Sequence, residues 1–500
     1  MNVPTRPATP LVPALLLALA ACSPLPPQPP APTPRSPAAA GLAAGVTTPR
    51  PAEQWWREFG DATLDALVER ALADQPSLAA AAARTARAGA AVADRRASAR
   101  PRLGLEADAG TQRYSEHGIF PPPIAGSTRD NYTVQIAGSW EIDFFGRHQA
   151  ALESALGAER ALQAEQQSAR TLLATQVVRA WVQLARLEED RLLATRQLEL
   201  RTTVLALTRQ REAAGLDSRL ELRQAEGALP EARRQIEALD EQRALARNAL
   251  AALTAQPVAT VSAMLDARPP ALATLRPPTV PARLGADLLG RRADVVAARW
   301  RVEAATQDVT LARAQYMPDL DLVAFAGLSS LGLSRLVEFG SRNLGATAAL
   351  RLPIFDGGRL DAQLGARHAD LAAAVATYDA TVIDAVREAA DAAATVQSLQ
   401  RQRDEQAQVL AAAEGTWTAA DERHRAGVGG ALPVLALELQ WLQQRRAEAD
   451  LRARSLEAQA QLMRALGGGY EAGARPNTAP ASVTPTASTA SAGSAGTKND

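Results

Sequence analysis

The chain of 500 residues is short of most of what marks an enzyme or a disulfide-built secreted domain. It has one cysteine, Cys22, which excludes an internal disulfide framework and any cysteine-based zinc cluster. Its four histidines, His117, His148, His368 and His424, show no metal-ligand spacing. There is no Gly-x-Ser-x-Gly elbow and no phosphate-binding glycine loop. Net charge is also lacking: 54 basic and 54 acidic residues give zero, which argues against an electrostatic nucleic-acid binder. The apolar run Leu11–Ala21 is too short to cross a membrane as a helix. Aromatics make up only 4% of the chain although 47% is apolar. Ala, Leu, Arg, Glu and Gln fill the long segments instead, a composition of long helices or coiled coils.

What is present is a duplication. Ile142-Asp143-Phe144-Phe145-Gly146-Arg147 returns as Ile354-Phe355-Asp356-Gly357-Gly358-Arg359. Arg147 and Arg359 lie 212 apart, as do Gly215 and Gly427, and Glu226 and Glu438. Upstream, Pro101 and Pro318 lie 217 apart, as do Gly110 and Gly327. The step from 217 to 212 places the length difference between positions 110 and 142 of the first copy. A repeat of this kind sets the architecture.

In order, residues 1–21 read as an export signal ending in small residues ahead of Cys22. Residues 22–51 are a proline-rich tether, residues 52–256 a first repeat, 257–282 a proline-rich linker, 283–470 a second repeat and 471–500 a disordered tail. Asp61 is the expected N-cap of a helix with Leu64, Leu67, Val68 and Leu72 on one face. A second helix runs to Arg100, before Pro101. Strands are expected at 102–110 and 131–142, and again at 319–328 and 343–354. In the first pair, apolar Leu103, Leu105, Val134 and Ile136 alternate with Gly104, Glu106, Thr133 and Gln135. The length and alternation suit a transmembrane β-strand, although a half-buried soluble hairpin shares the pattern.

Long helical hairpins are expected at 146–254 and 359–466. Asp143 and Asp356 cap the outgoing helices, each ~100 Å long at 1.5 Å per residue. Gly215 and Gly427 turn the chain at the tips. The return helix carries a heptad seam, Leu222, Ala225, Leu229, Ala232, Ile236 and Leu239, with a polar break at Arg243. Pro230 should kink that helix or start a fresh segment. The glycine pair 357–358 should make a tighter strand-to-helix bend than Phe144-Phe145.

Four strands cannot close a barrel, and lipid tolerates no open sheet edge, so such a chain must associate. Two copies would give eight strands and a filled barrel; three would give twelve and leave a channel. The fold class is therefore mainly α with a transmembrane β-barrel portion.

Several stretches together resemble the TolC/OprM-like outer membrane factor family, in its lipoprotein branch of NodT-type efflux subunits. They are Trp55-Trp56-Arg57-Glu58-Phe59-Gly60-Asp61, Leu288-Leu289-Gly290-Arg291-Arg292-Ala293-Asp294-Val295, Ala312-Arg313-Ala314-Gln315-Tyr316-Met317-Pro318, the Ile354–Arg359 run and Gly467-Gly468-Gly469. Leu19-Ala20-Ala21-Cys22 resembles the bacterial lipoprotein signal, which implies lipid attachment at Cys22 and, with Ser23 after it, the outer membrane. The family resemblance implies a homotrimer with a twelve-stranded barrel, continued by a periplasmic α-barrel. It further implies a periplasmic adaptor and an inner membrane pump, usually of the resistance-nodulation-division class. No cofactor, metal or nucleic acid is implied; the only group added is the lipid on Cys22.

Relatives often have Asn at the position of Gln75, Pro at Ala293 and Asp at Ala436. An acidic pore ring could therefore come only from the first tip, through Asp217 and Glu221, whose ordinary reading is a helix cap and a surface charge. Gly215 and Gly427 mark the expected adaptor contact. Two other readings remain: the exit duct of an ABC-type protein secretion system, and a lipid-anchored periplasmic coiled-coil scaffold.

Overall fold

The computed structural model describes residues 32–34, 51–278 and 288–471. The signal segment, Cys22 and residues 472–500 lie outside the described residues, as do most of the tether and residues 279–282 of the linker.

The duplication is visible in element lengths. Helix α3 (Arg147–Ala213) and helix α7 (Arg359–Arg425) each have 67 residues, and the return helices α4 (Arg219–Leu253) and α8 (Ala431–Ala465) each have 35. Before them lie α1 (Ala62–Asp74) and α2 (Pro76–Ser98) in the first half; α5 (Val258–Ala267) and α6 (Ala293–Ala314) lead into the second. The strands are β1 (Arg102–Arg113), β2 (Thr128–Ile142), β3 (Asp319–Leu331) and β4 (Arg342–Arg351). They form one antiparallel sheet in the order β1-β2-β3-β4, with β2 and β3 joining the two halves.

The main core is a belt around the middle of α3. Trp55, Phe59, Leu64 and Leu67 pack against Val177, Val178, Trp181 and Leu184, with Leu456 and Met463 of α8 behind them. Burying each such side chain contributes about 1.5–3 kcal/mol. Asp61 caps α1 as expected, accepting from the Thr63 and Leu64 amides at 2.8 and 3.2 Å, and also accepts the Trp181 indole N–H at 3.2 Å.

Several boundaries differ from expectation. The proline-rich linker has structure of its own: α5 forms within it, and Val261, Leu265, Leu272 and Leu275 are buried in the main core. Helix α4 runs through Pro230 without starting a fresh segment. Strand β4 stops at Arg351, short of 354, where Pro353 has no N–H to give the ladder. Strands β1, β2 and β3 extend further at their outer ends, because Thr111, Gln112 and Arg113 still pair with Asp130, Arg129 and Thr128. The second seam is also the longer one: seven residues (352–358) separate β4 from α7, against four (143–146) between β2 and α3.

Candidate channel wall, seam and hairpin tips

The register puts one kind of residue on each face of the sheet. Leu105 pairs with Ile136, Ile136 with Ala326, and Ala326 with Leu344. The rows beside it contain Leu103, Val134, Trp140, Leu322, Leu328 and Leu350. This apolar face is uncovered: Leu103, Leu105 and Leu344 are 80%, 74% and 74% exposed. The opposite face carries Arg102, Glu106, Gln135, Glu141, Asp321 and Arg351, although Val323 and Phe325 also lie on it. The Phe325 ring lies directly over Gly345, where a methyl group would sit 2.4 Å from it unless the ring moved. An exposed apolar face on strands of this length is the lipid-facing wall of a membrane barrel. Among the described residues no single helix is long and apolar enough to cross a membrane.

The seam is where strand becomes helix. The Asp143 carboxylate accepts from the amides of Arg147, His148 and Gln149 at 2.7, 2.9 and 3.3 Å. Asp356 does the same for Gly358 and Leu360 at 3.1 and 2.9 Å. Both aspartates thus satisfy helix-start donors as expected, from behind a left-handed glycine at the formal cap position (Gly146, φ 75°; Gly358, φ 85°). Exposed Phe144, Phe145, Ile354 and Phe355 surround the seam, the composition of a membrane interface.

Beside the seam, on the polar face, lies a cavity of about 930 Å³. Arg95, Arg100, Arg102, Arg147, Arg351 and Arg359 line it, with Glu141, Asp319, Asp321 and His148. Arg147 lies 2.8 Å from Glu141 and 3.7 Å from Asp319. Arg351 pairs with Asp321, and Arg359 lies 3.8 Å from Asp356.

At the tips, Gly215 and Gly427 both take positive φ, 74° and 77°, as turn residues after a helix must. The amides of Leu216 and Val428 bond back to the carbonyls of Arg211 and Arg423, at 2.8 and 3.0 Å. Asp217 is not the cap of α4; Arg211 grips it bidentately at 2.9 and 2.8 Å. The cap is Ser218, and Glu221 completes a capping box by accepting the Ser218 amide at 2.9 Å. Both carboxyls are held below their usual range: Asp217 by the bond from Arg211, Glu221 by bonds from the Ser218 hydroxyl and amide. At the second tip, the His424 Nδ1–H donates to the Gly429 carbonyl at 2.8 Å. Leu216, Leu220 and Val428 are exposed there.

Between sheet and tips the halves lock together through charged pairs. Glu438, 6% exposed, accepts from Arg196 Nη2 and Nε at 2.6 and 3.0 Å. Asp190, 2% exposed, is reached by Arg186 at 2.8 Å and Arg446 at 3.4 Å; burial still raises its pKa. Arg211 lies six positions from Asp217, within the local sequence of the tip, whereas Arg196 and Arg446 come from the other half and were not signalled locally. Among the described residues, no group of three or more His, Cys, Asp or Glu is placed to hold a metal.

The chain matches the outer membrane efflux protein family over residues 67–256 and 284–468. It belongs to that family. It is 32% identical over 433 residues to the multidrug resistance outer membrane protein MdtQ of Escherichia coli, covering 84% of this chain and 89% of that one. MdtP of the same species is 31% identical over 431 residues, covering 85% and 88%. Among solved structures, the outer membrane protein VceC of Vibrio cholerae is 32% identical with a TM-score of 0.74, covering 84% of this chain and all of VceC. Family membership accounts for the combination of one apolar-faced sheet and two long hairpins, and sets aside the coiled-coil scaffold, which has no use for the sheet.

Proposed function

We propose that the chain is the outer membrane exit duct of a tripartite efflux system. It would carry small molecules or drugs expelled by an inner membrane pump and handed on through a periplasmic adaptor. The observation that carries this reading is the sheet with one uncovered apolar face, feeding directly into hairpins ~100 Å long. The names of MdtQ and MdtP, multidrug resistance outer membrane proteins, support it. The pump is of the resistance-nodulation-division class, and the working unit is a homotrimer of twelve strands. Cleavage before Cys22 and lipidation of its sulfur anchor the tether of residues 22–51. The tips at Gly215 and Gly427 meet the adaptor, with Asp217 and Glu221 at the narrow end of the pore.

Deleting the protein and screening for compounds that accumulate in the cell tests the role directly. Drugs or dyes are expected to accumulate; loss of a secreted protein with no change in drug accumulation would favour the protein-secretion duct instead. A Cys22→Ser variant should resist a carbonate wash, as a barrel does, whereas release would show that lipid alone holds the chain. Single-channel recording of Asp217→Ala/Glu221→Ala tests the gate: unchanged conductance and cation selectivity would remove it.

A further inference from the structure

The charges at the tips are matched locally, whereas those at the seam are not. In the seam cavity, six arginines face three carboxylates, an excess of three positive charges per chain. All three carboxylates lie within ion-pairing distance of Arg147 or Arg351, Asp319 only at 3.7 Å and with its Oδ1 lacking a hydrogen-bond partner. Arg359 lies 3.8 Å from Asp356, outside the lining. That leaves Arg95 and Arg100, from the end of α2, and Arg102, from the start of β1. Among the described residues none of these three has a carboxylate within ion-pairing distance, and Arg102 has only the Ser98 hydroxyl, at 3.4 Å. His148 lines the same cavity, its Nε2 buried 3.6 Å from Glu141 Oε1 and outside hydrogen-bond distance of any acceptor.

We propose that this cavity binds small oxyanions, the phosphate, sulfonate or carboxylate groups of soluble solutes, and biases the duct towards anionic cargo. The inference rests on the duct reading. A guanidinium presents a planar fork of donors matched to such groups, and a concave low-dielectric wall concentrates the field of unpaired charges. A lipid headgroup is the less fitting occupant, because the apolar, lipid-facing side of the sheet is the opposite one. In a threefold assembly these arginines recur three times, nine in all, where the barrel meets the helical tube. Its reach is limited by salt, about 10 Å at 0.1 M and about 30 Å at 0.01 M, so the bias must weaken as salt rises.

The test compares the full-length protein with Arg95→Gln/Arg100→Gln/Arg102→Gln and with the triple lysine variant. In planar bilayers under a potassium chloride gradient, the reversal potential reports the chloride-to-potassium permeability ratio. That ratio is expected to fall by roughly threefold or more in the glutamine variant and to survive in the lysine variant. An unchanged ratio with conductance intact would overturn the cavity and leave the duct standing. Should the wild type not conduct, the duct reading fails, and thermal unfolding with added inorganic tripolyphosphate at fixed ionic strength still decides the site. Protection of the wild type but not of the glutamine variant supports it; equal shifts, or none, refute it. A shift seen only on moving from phosphatidylcholine to phosphatidylglycerol nanodiscs would assign the arginines to lipid and refute it too.

Discussion

A single methyl group placed on Gly468 should weaken the fold out of proportion to its size. The triplet Gly467-Gly468-Gly469 turns the chain off α8 with φ of 98°, 56° and 80°. A Cβ on Gly468 would lie 2.2 Å from Cγ2 and 3.0 Å from Oγ1 of Thr171, on α3. Two costs follow. Alanine in left-handed backbone loses about 1–2 kcal/mol, and overpacking a filled site loses about 1–3 kcal/mol. Gly468→Ala should therefore destabilise by about 2–5 kcal/mol in urea unfolding followed by far-ultraviolet circular dichroism. The two costs can be separated. Thr171→Ala removes both obstructing atoms and leaves only its own Cβ, 3.2 Å away. The double variant should recover the steric part and keep the backbone part, a coupling of about 1–3 kcal/mol. No such rescue exists for Gly467→Ala, where the obstacle 2.2 Å away is the backbone carbonyl of Arg291. A Gly468→Ala protein with an unchanged midpoint, or with no coupling to Thr171, would refute the reasoning.

Other expectations concern the seam and the helical wall. Asp143→Ala should cost about 1 kcal/mol, since one carboxylate serves three helix-start amides. Burial pushes the Asp143 pKa up, but those amides and the His148 charge outweigh it and hold it below the ordinary value. Its contribution is therefore complete above about pH 3.9, the unfolded value, and is lost as pH falls through the lower folded value; the variant's unfolding midpoint should lose that acid limb. Tyr316 is pushed up to about 12 by burial and by its 2.7 Å bond to Asp361. Phenolate absorbance should show a component titrating near that value and missing in Tyr316→Phe, with stability kept below about pH 10 and lost as pH rises through the folded value. Glu438→Gln should destabilise by about 1–3 kcal/mol, because the buried acceptor of Arg196 loses its charge, and Arg196→Gln should then cost little more.

How much of this was legible depends on the range of the interaction. The offset of 212 between Arg147 and Arg359 predicted two hairpins of equal build, because helix length follows local pattern. Alternation through Leu103, Leu105, Val134 and Ile136 gave the apolar face, because side-chain direction in a strand has period two. The ends were less legible. Thr111–Arg113 extend β1 because a ladder needs backbone groups and not apolar side chains, and Pro353 shortens β4 for the complementary reason. The proline-rich linker was legible only as a join between the halves, yet Leu265 and Leu275 are drawn into the core. Ser218 and Glu221 carry a capping-box spacing, and Glu221 completes that box. Arg196 and Glu438 meet across 242 positions, and the seam cavity draws on α2, α3, α6, α7 and all four strands. No window of sequence contains such a site.

The duplication also says where the chain stops short. Within it, β2 pairs β3, α3 packs on α6 in the upper part, and α3 packs on α8 in the lower part. Moving each partner to its equivalent in the other half gives β4 against β1, α7 against α2, and α7 against α4. None of these is made strand to strand or helix to helix inside the chain as the first set is, and all three pair one side of the molecule with the other. A head-to-tail contact of that kind joins copies, and it forms a closed ring if the rotation closes. The register follows as well. Gly138 lies opposite Ala324; adding 212 to the first and subtracting 217 from the second places Leu350 opposite Ala107 of the next copy. Both belong to the apolar face, so the derived register keeps the lipid-facing surface continuous. Directly opposed antiparallel residues have Cα atoms about 4.5–5.5 Å apart, within disulfide reach. Oxidised Leu350→Cys/Ala107→Cys protein should therefore run on a non-reducing gel as linked dimers and trimers, while each single variant runs as a monomer. Leu350→Cys/Glu106→Cys should link poorly, because a one-residue step moves the side chain to the other face. Efficient linking of the second pair and not the first would show that the copies meet in another register.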